Sequence, residues 1–163
     1  MFNQTAYTIN HDKAIAGMVA DGEVNNTISK VNKSAQVLQY GRFVARAGDD
    51  GMNPLAADTT SANILGVLRY ETNRAQGLQA GVAGVPSDRD GSVLTMGTVY
   101  VEALAAVTAG APVYAVVAQN ANTGKAAGAA GSAETLAVAV SGATFAEAGA
   151  AGKLVKVSLK VGG

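Results

Sequence analysis

Cysteine and tryptophan are absent from this chain, and histidine occurs once, at His11. Without cysteine there are no disulfides, no thiolate nucleophile and no cysteine-based zinc site. A single imidazole in a polar stretch reads as an exposed side chain before it reads as a metal ligand or a general base. Aromatic residues are few, five Tyr and three Phe, so the stacking surfaces of a sugar-binding cleft are in short supply. Neither sign of charge dominates: twelve Lys and Arg cancel twelve Asp and Glu, which removes the electrostatic footprint of a nucleic-acid binder. Charge is also sparse. Charged residues make up 15% and apolar ones 48% of the chain, whereas a small soluble domain usually carries roughly a quarter or more charged residues on its surface. Some of this surface is therefore expected to meet protein. The longest uncharged stretch, Ala103 to Gly124, contains Gly110, Pro112, Gln119 and two asparagines and does not read as a membrane span. The first residues, interrupted by Asn3, Thr5 and Asn10, lack the basic start and apolar run of a signal peptide, so the product is expected in the cytoplasm of the cell that makes it.

Motifs that carry chemistry fail on register. Asp88-Arg-Asp-Gly91 resembles the start of a calcium loop, but its Gly is two positions early and the twelfth position is Val99 rather than Glu. Asp49-Asp50-Gly51 is an acidic turn. Gly124-Lys125 lacks both the upstream Gly of a phosphate loop, where Gln119 stands, and the following Ser or Thr, where Ala126 stands. Gly124, Gly128 and Gly131 have the wrong spacing for a dinucleotide fingerprint. No Ser lies in a Gly-x-Ser-x-Gly elbow. Nothing passes the combined test of nucleophile, base and oxyanion site, so neither catalysis nor a cofactor nor a metal is expected. A pair of carboxylates meeting in space, as in a small β-barrel hydrolase, is the enzymatic alternative.

The chain does contain a repeated phrase, a small-residue turn ending in Gly followed by a strand. It occurs as Val107-Thr-Ala-Gly-Ala-Pro-Val113, as Phe145-Ala-Glu-Ala-Gly-Ala-Ala-Gly-Lys-Leu-Val155, and more faintly as Val37-Leu-Gln-Tyr-Gly-Arg-Phe-Val44. Gly-x-x-Val thus recurs at Gly41/Val44, Gly110/Val113 and Gly152/Val155, with Gly free to take the positive φ of a turn. From Ala35 onward the apolar period is two. Val155, Val157, Leu159 and Val161 alternate with Lys156, Ser158 and Lys160, and Val99, Val101 and Ala103 alternate with Thr98, Tyr100 and Glu102. Further strands are expected at 42–46, 63–70, 92–96, 112–117 and 135–140. Many short strands without a long helical pattern predict a mainly β fold, a small β-barrel or β-sandwich.

Residues 1–34 are polar with scattered apolar positions and read as an extended N-terminal arm, in which 14–20 form at most a short helical turn weakened by Gly17. Residues 35–163 are the β-rich domain. The stretches 47–61 and 122–133 read as an irregular excursion and a weakly structured Ala/Gly segment. In the arm, Phe2, Tyr7 and Ile9 are the candidates for docking into a neighbouring subunit. In the strand at 42–46, Arg42 and Arg46 interrupt an apolar run and are candidates for a docking face.

The phrases Gly41-Arg-Phe-Val44, Ile64-Leu-Gly-Val67, Val107 to Val113 and Ser141 to Leu159 resemble the structural cement, or capsid decoration, proteins of tailed bacteriophages, over most of residues 36–161. That resemblance implies a β-rich virion protein that self-associates, on the outer capsid surface of the mature head, and bridges neighbouring major capsid protein subunits. Lattice symmetry favours a trimer over a dimer. The balanced charge and the lack of a membrane span, for their part, lead to the expectation of no direct contact with nucleic acid or membrane. A head-fibre or tail module that binds host-surface glycans is the alternative within the virion.

Overall fold

The computed structural model describes residues 14–72, 83–128 and 136–160. Its framework follows from the repeated turn. Gly41, Gly110 and Gly152 have φ of 74°, 80° and 71°, a region closed to most side chains. The valine three residues after each, Val44, Val113 and Val155, is buried. Each turn thus launches a strand whose second residue enters the core.

Eleven strands follow in the described residues: β1 (Asn26–Asn32), β2 (Leu38–Gln39), β3 (Phe43–Ala47), β4 (Gly51–Pro54), β5 (Ile64–Leu68), β6 (Gly84–Val85), β7 (Asp90–Glu102), β8 (Pro112–Val116), β9 (Ala126–Ala127), β10 (Ala137–Phe145) and β11 (Leu154–Lys160). A short 3₁₀ turn at Ser61–Asn63 precedes β5, and no α-helix occurs among the described residues. Nine strands form one sheet in the order β1-β4-β3-β5-β7-β11-β10-β8-β9. Because β1 also pairs with β7, its first five strands close into a barrel. The β1–β4 seam is parallel, Val31 beside Gly51 and Asn32 beside Met52, while the other barrel pairings, the closing β1–β7 pair included, are antiparallel. β2 and β6 form a separate two-stranded ribbon.

The barrel interior is a buried cluster to which all five barrel strands contribute. Val44, Met52, Leu65 and Val93 fill it, Ile28 of β1 packs against it, and Leu38 and Val85 of the β2–β6 ribbon join them. The larger cluster lies outside the barrel wall, where Phe43, Leu55, Val67 and Leu94 meet Val101, Val113, Phe145 and Leu159. β7 links the two. Its residues up to Met96 pair with β1 and β5, and Met96 to Glu102 pair with β11. Burial removes apolar area from water at about 25 cal/mol per Å², so this shared strand couples both cores energetically.

Three expectations change. Residues 26–32, placed with the arm by their polarity, are β1 and complete the barrel. The excursion at 47–61 contains β4, with Met52 fully buried. The described part of 122–133 contains β9, and Ala126 is fully buried. Residues 14–20 form no helix. Met18 N–H closes a turn on the Ile15 carbonyl at 3.0 Å, and the chain then runs beside β7, with Gly17 and Ala20 donating to the Tyr100 and Thr98 carbonyls. Asp21 accepts a hydrogen bond from Lys156 Nζ at 3.3 Å, which ties this segment to β11.

Candidate docking surface

Phe2, Tyr7 and Ile9 lie outside the described residues. The point from which they depart is fixed. Ala14 is buried, and Gly17, at φ 83°, passes so close to Gly41 and Leu68 that a Cβ there would come within 2.7 Å of backbone atoms of both. Ile15, one residue past the root, is 51% exposed.

The two arginines occupy different surroundings. Arg46 is exposed on β3, opposite Met52 of β4. Arg42 immediately precedes β3 and is half-buried. Its Nε and Nη2 both donate to one oxygen, Oε1 of Gln39, at 3.2 and 3.0 Å, and its Nη1 is buried with no hydrogen-bond partner. Burial pushes the Arg42 pKa down from the usual guanidinium range, and the charge of Glu102 opposes that shift. Glu102 itself forms an ion pair with Lys125. The Glu102 carboxylate thus pairs with Lys125 and acts on Arg42 through its charge. The register of β3 against β5 shifts between Val44 and Ala45, so the alternation that would place Arg42 and Arg46 on one face is broken.

Arg42 borders an open cleft of about 330 Å³. Its apolar floor includes Leu38, Phe43 and Leu55, and one wall is the turn containing Asn120 and Ala121. That turn is held to the barrel by its backbone and side chains. Phe43 N–H donates to the Gly124 carbonyl at 2.9 Å, and Gln119 Nε2 donates to the Leu55 carbonyl at 3.0 Å. Asn120 Oδ1 accepts from Asn122 N–H at 2.8 Å, closing an Asx turn. In the sequence this wall is Asn120-Ala-Asn-Thr-Gly124, whose turn chemistry is masked by the Ala/Gly run behind it. Among the described residues no group of three or more His, Cys, Asp or Glu is placed to hold a metal ion. No helix among them is long and apolar enough to cross a membrane.

A closed five-stranded barrel is thus extended by four further strands of the same sheet, with a fixed N-terminal root and an open cleft beside Arg42. Over residues 2–160 the chain matches the family model described as Structural cement protein (E217 gp24/Pam3 gp6), and it belongs to that family. It is a capsid cement protein of a phage, a component of the virion. In fold it is similar to a chain of the structure described as the capsid of Myoviridae Phage XM1, with a TM-score of 0.76 at 23% identity over 98% of each chain. A weaker likeness, with a TM-score of 0.42 at 13% identity, is to the head fiber gp8.5 N base of bacteriophage phi29, over 83% of this chain and 94% of that one. No curated protein matches the chain.

Proposed function

We propose that this protein binds the outer surface of the mature phage head and bridges neighbouring subunits of the major capsid protein, holding the expanded lattice together without catalysing a reaction. The observation that carries this reading is the family match over residues 2–160, whose family is defined by a structural cement role. Sparse charge and zero net charge support it, since molecules packed side by side around a head do not then repel one another. Self-association into a closed symmetric oligomer would bury part of the apolar surface, and a trimer is the first candidate because capsid lattices offer threefold positions. The arm, through Phe2, Tyr7 and Ile9, and the separate surface positions of Arg42 and Arg46 are the parts assigned to contact neighbours.

The test is add-back. Purified protein is mixed with expanded, undecorated heads and with unexpanded heads, and bound protein is counted by electron microscopy and by sedimentation. Saturable binding to expanded heads alone is expected. Equal binding to both, or to neither, overturns the assignment. Native mass spectrometry of the isolated protein reads the oligomer, and a dimer there would remove the trimer.

A further inference from the structure

We propose that the cleft beside Arg42 receives a single acidic side chain, carried on a short extended segment of a capsid subunit, with the Arg42 guanidinium as its counter-ion. The proposal rests on the capsid-binding reading above and names the chemistry of the contact.

Arg42 is incompletely satisfied. A guanidinium has five N–H donors in a planar fork, and here two of its nitrogens converge on the one neutral oxygen of Gln39 while Nη1 is buried without a partner. Glu102, the carboxylate whose charge acts on Arg42, is engaged by Lys125. The surroundings thus carry two positive charges and one negative, and one more carboxylate would balance them. An incoming Asp or Glu takes the Nη1 and Nη2 edge as two parallel N–H···O bonds, giving Nη1 the partner it lacks while Nε stays on Gln39, so that a charged, bidentate acceptor joins the neutral one.

The lining selects the occupant. Among the described residues Arg42 is the only charged one bordering the cleft, so a singly charged carboxylate is matched whereas a doubly charged phosphate is left half-neutralised. Over the buried floor of Leu38, Phe43 and Leu55, the half-buried Val37 and Pro54 offer apolar contact to the residues flanking that carboxylate. At about 330 Å³ the cleft is at the lower end of the usual range for ligand sites, about 300 to 1,000 Å³, which suits a few side chains. Its walls are preorganised, since the Phe43–Gly124 and Gln119–Leu55 hydrogen bonds tie floor and turn together before any partner arrives.

The experiment measures binding of wild type, Arg42→Gln, Arg42→Lys and Ala121→Trp to expanded, undecorated heads. Arg42→Gln is expected to weaken binding by about thirtyfold or more, which corresponds to about 2 kcal/mol at about 1.4 kcal/mol per decade. Arg42→Lys, which keeps the charge and loses the fork, should fall between wild type and Arg42→Gln. Ala121→Trp alters an exposed turn position at the cleft wall. It should weaken binding comparably by filling the cleft, and it decides the matter if Arg42→Gln does not fold. If wild type binds heads and Ala121→Trp binds equally, the cleft is not the contact and the proposal falls while the capsid-binding reading stands. If wild type itself does not bind, the capsid-binding reading falls and this proposal with it. If the variants instead dissociate the isolated oligomer in native mass spectrometry and leave head binding intact, the occupant is a second copy of this chain and the proposal is overturned.

Discussion

Asn32 shows how much one side chain carries in this fold. It is fully buried at the end of β1, and each of its polar groups is used. Nδ2 donates to the Gln36 and Val85 carbonyls at 2.8 and 2.9 Å, and Oδ1 accepts from the Ser34 N–H and hydroxyl at 2.9 and 2.7 Å. Its backbone joins the same knot, donating to the Arg89 carbonyl and accepting from Asp88 N–H, both at 2.9 Å. Asn32→Ala should cost about 2 to 4 kcal/mol, because it strands the buried Val85 carbonyl as well as deleting bonds. Ser34→Ala, which leaves those carbonyls paired, should cost less than about 1 kcal/mol. Urea titrations of the two variants check the difference, and equal midpoints would deny Asn32 this role. Nothing in a polar run of Asn, Lys and Ser marks one asparagine as buried, because its burial depends on β6, more than fifty residues away. The turn glycines were legible for the opposite reason. At Gly41, Gly110 and Gly152 the cause is local, a positive φ written as Gly before a strand. At Gly17 the letter was read as a weak point in a helical turn, while the requirement is a close approach to Gly41 and Leu68 that exists only in the tertiary structure.

Strands beyond the barrel are legible wherever one face is apolar and the other is not. In β11, Val155, Val157 and Leu159 are buried, Lys160 is exposed, and Lys156 and Ser158 are half-covered, as the alternation predicts. Leu159→Ala should therefore cost about 2 to 5 kcal/mol, and Lys160→Ala should lie within about 0.5 kcal/mol of wild type. Equal shifts in denaturant midpoint would refute the register. The barrel strands were harder to read. β1 contributes Ile28 to the interior while Val31 sits on its other face, so no period of two stands out. β4 is four residues long, Gly-Met-Asn-Pro, and reads as a turn. β7 was read as two strands because Gly97 divides it. These differences change what truncation should do. A chain starting at Lys33 loses β1 and opens the barrel along both its seams, with β4 and with β7. It should show no cooperative melting transition by circular dichroism. A chain starting at Ala14 keeps every described core contact and should melt as the full chain does. On the proposed role of Phe2, Tyr7 and Ile9, it should also bind heads or self-associate more weakly. Native-like melting of the Lys33 variant would show that β1 is dispensable, and unchanged assembly of the Ala14 variant would remove the arm from the contacts.

At the scale of the whole molecule, family and fold were legible from the order of turn-and-strand phrases. The docking chemistry was legible only as far as two arginines on one strand, because the cleft that separates their roles is built from β2, β3, β4 and a turn some eighty residues further along. Cementing is itself a whole-molecule property. A protein that binds the expanded lattice and not its broken or unexpanded forms stabilises it by mass action, by about 2.7 kcal/mol per site at a hundredfold excess of free protein over the dissociation constant and about 4.1 at a thousandfold excess. Each tenfold rise in free cement above saturation thus adds about 1.4 kcal/mol at every site, and the gain multiplies over the lattice while the capsid protein keeps its own fold. Heads titrated with this protein should accordingly break at a temperature that keeps rising with the logarithm of its free concentration after the sites are full. A covalent or catalytic effect on the capsid would instead plateau at occupancy and persist after the free protein is washed away. Calorimetry of heads at several concentrations of added protein, before and after washing, separates the two. Undecorated and saturated heads breaking at one temperature would leave the protein bound to the lattice without cementing it.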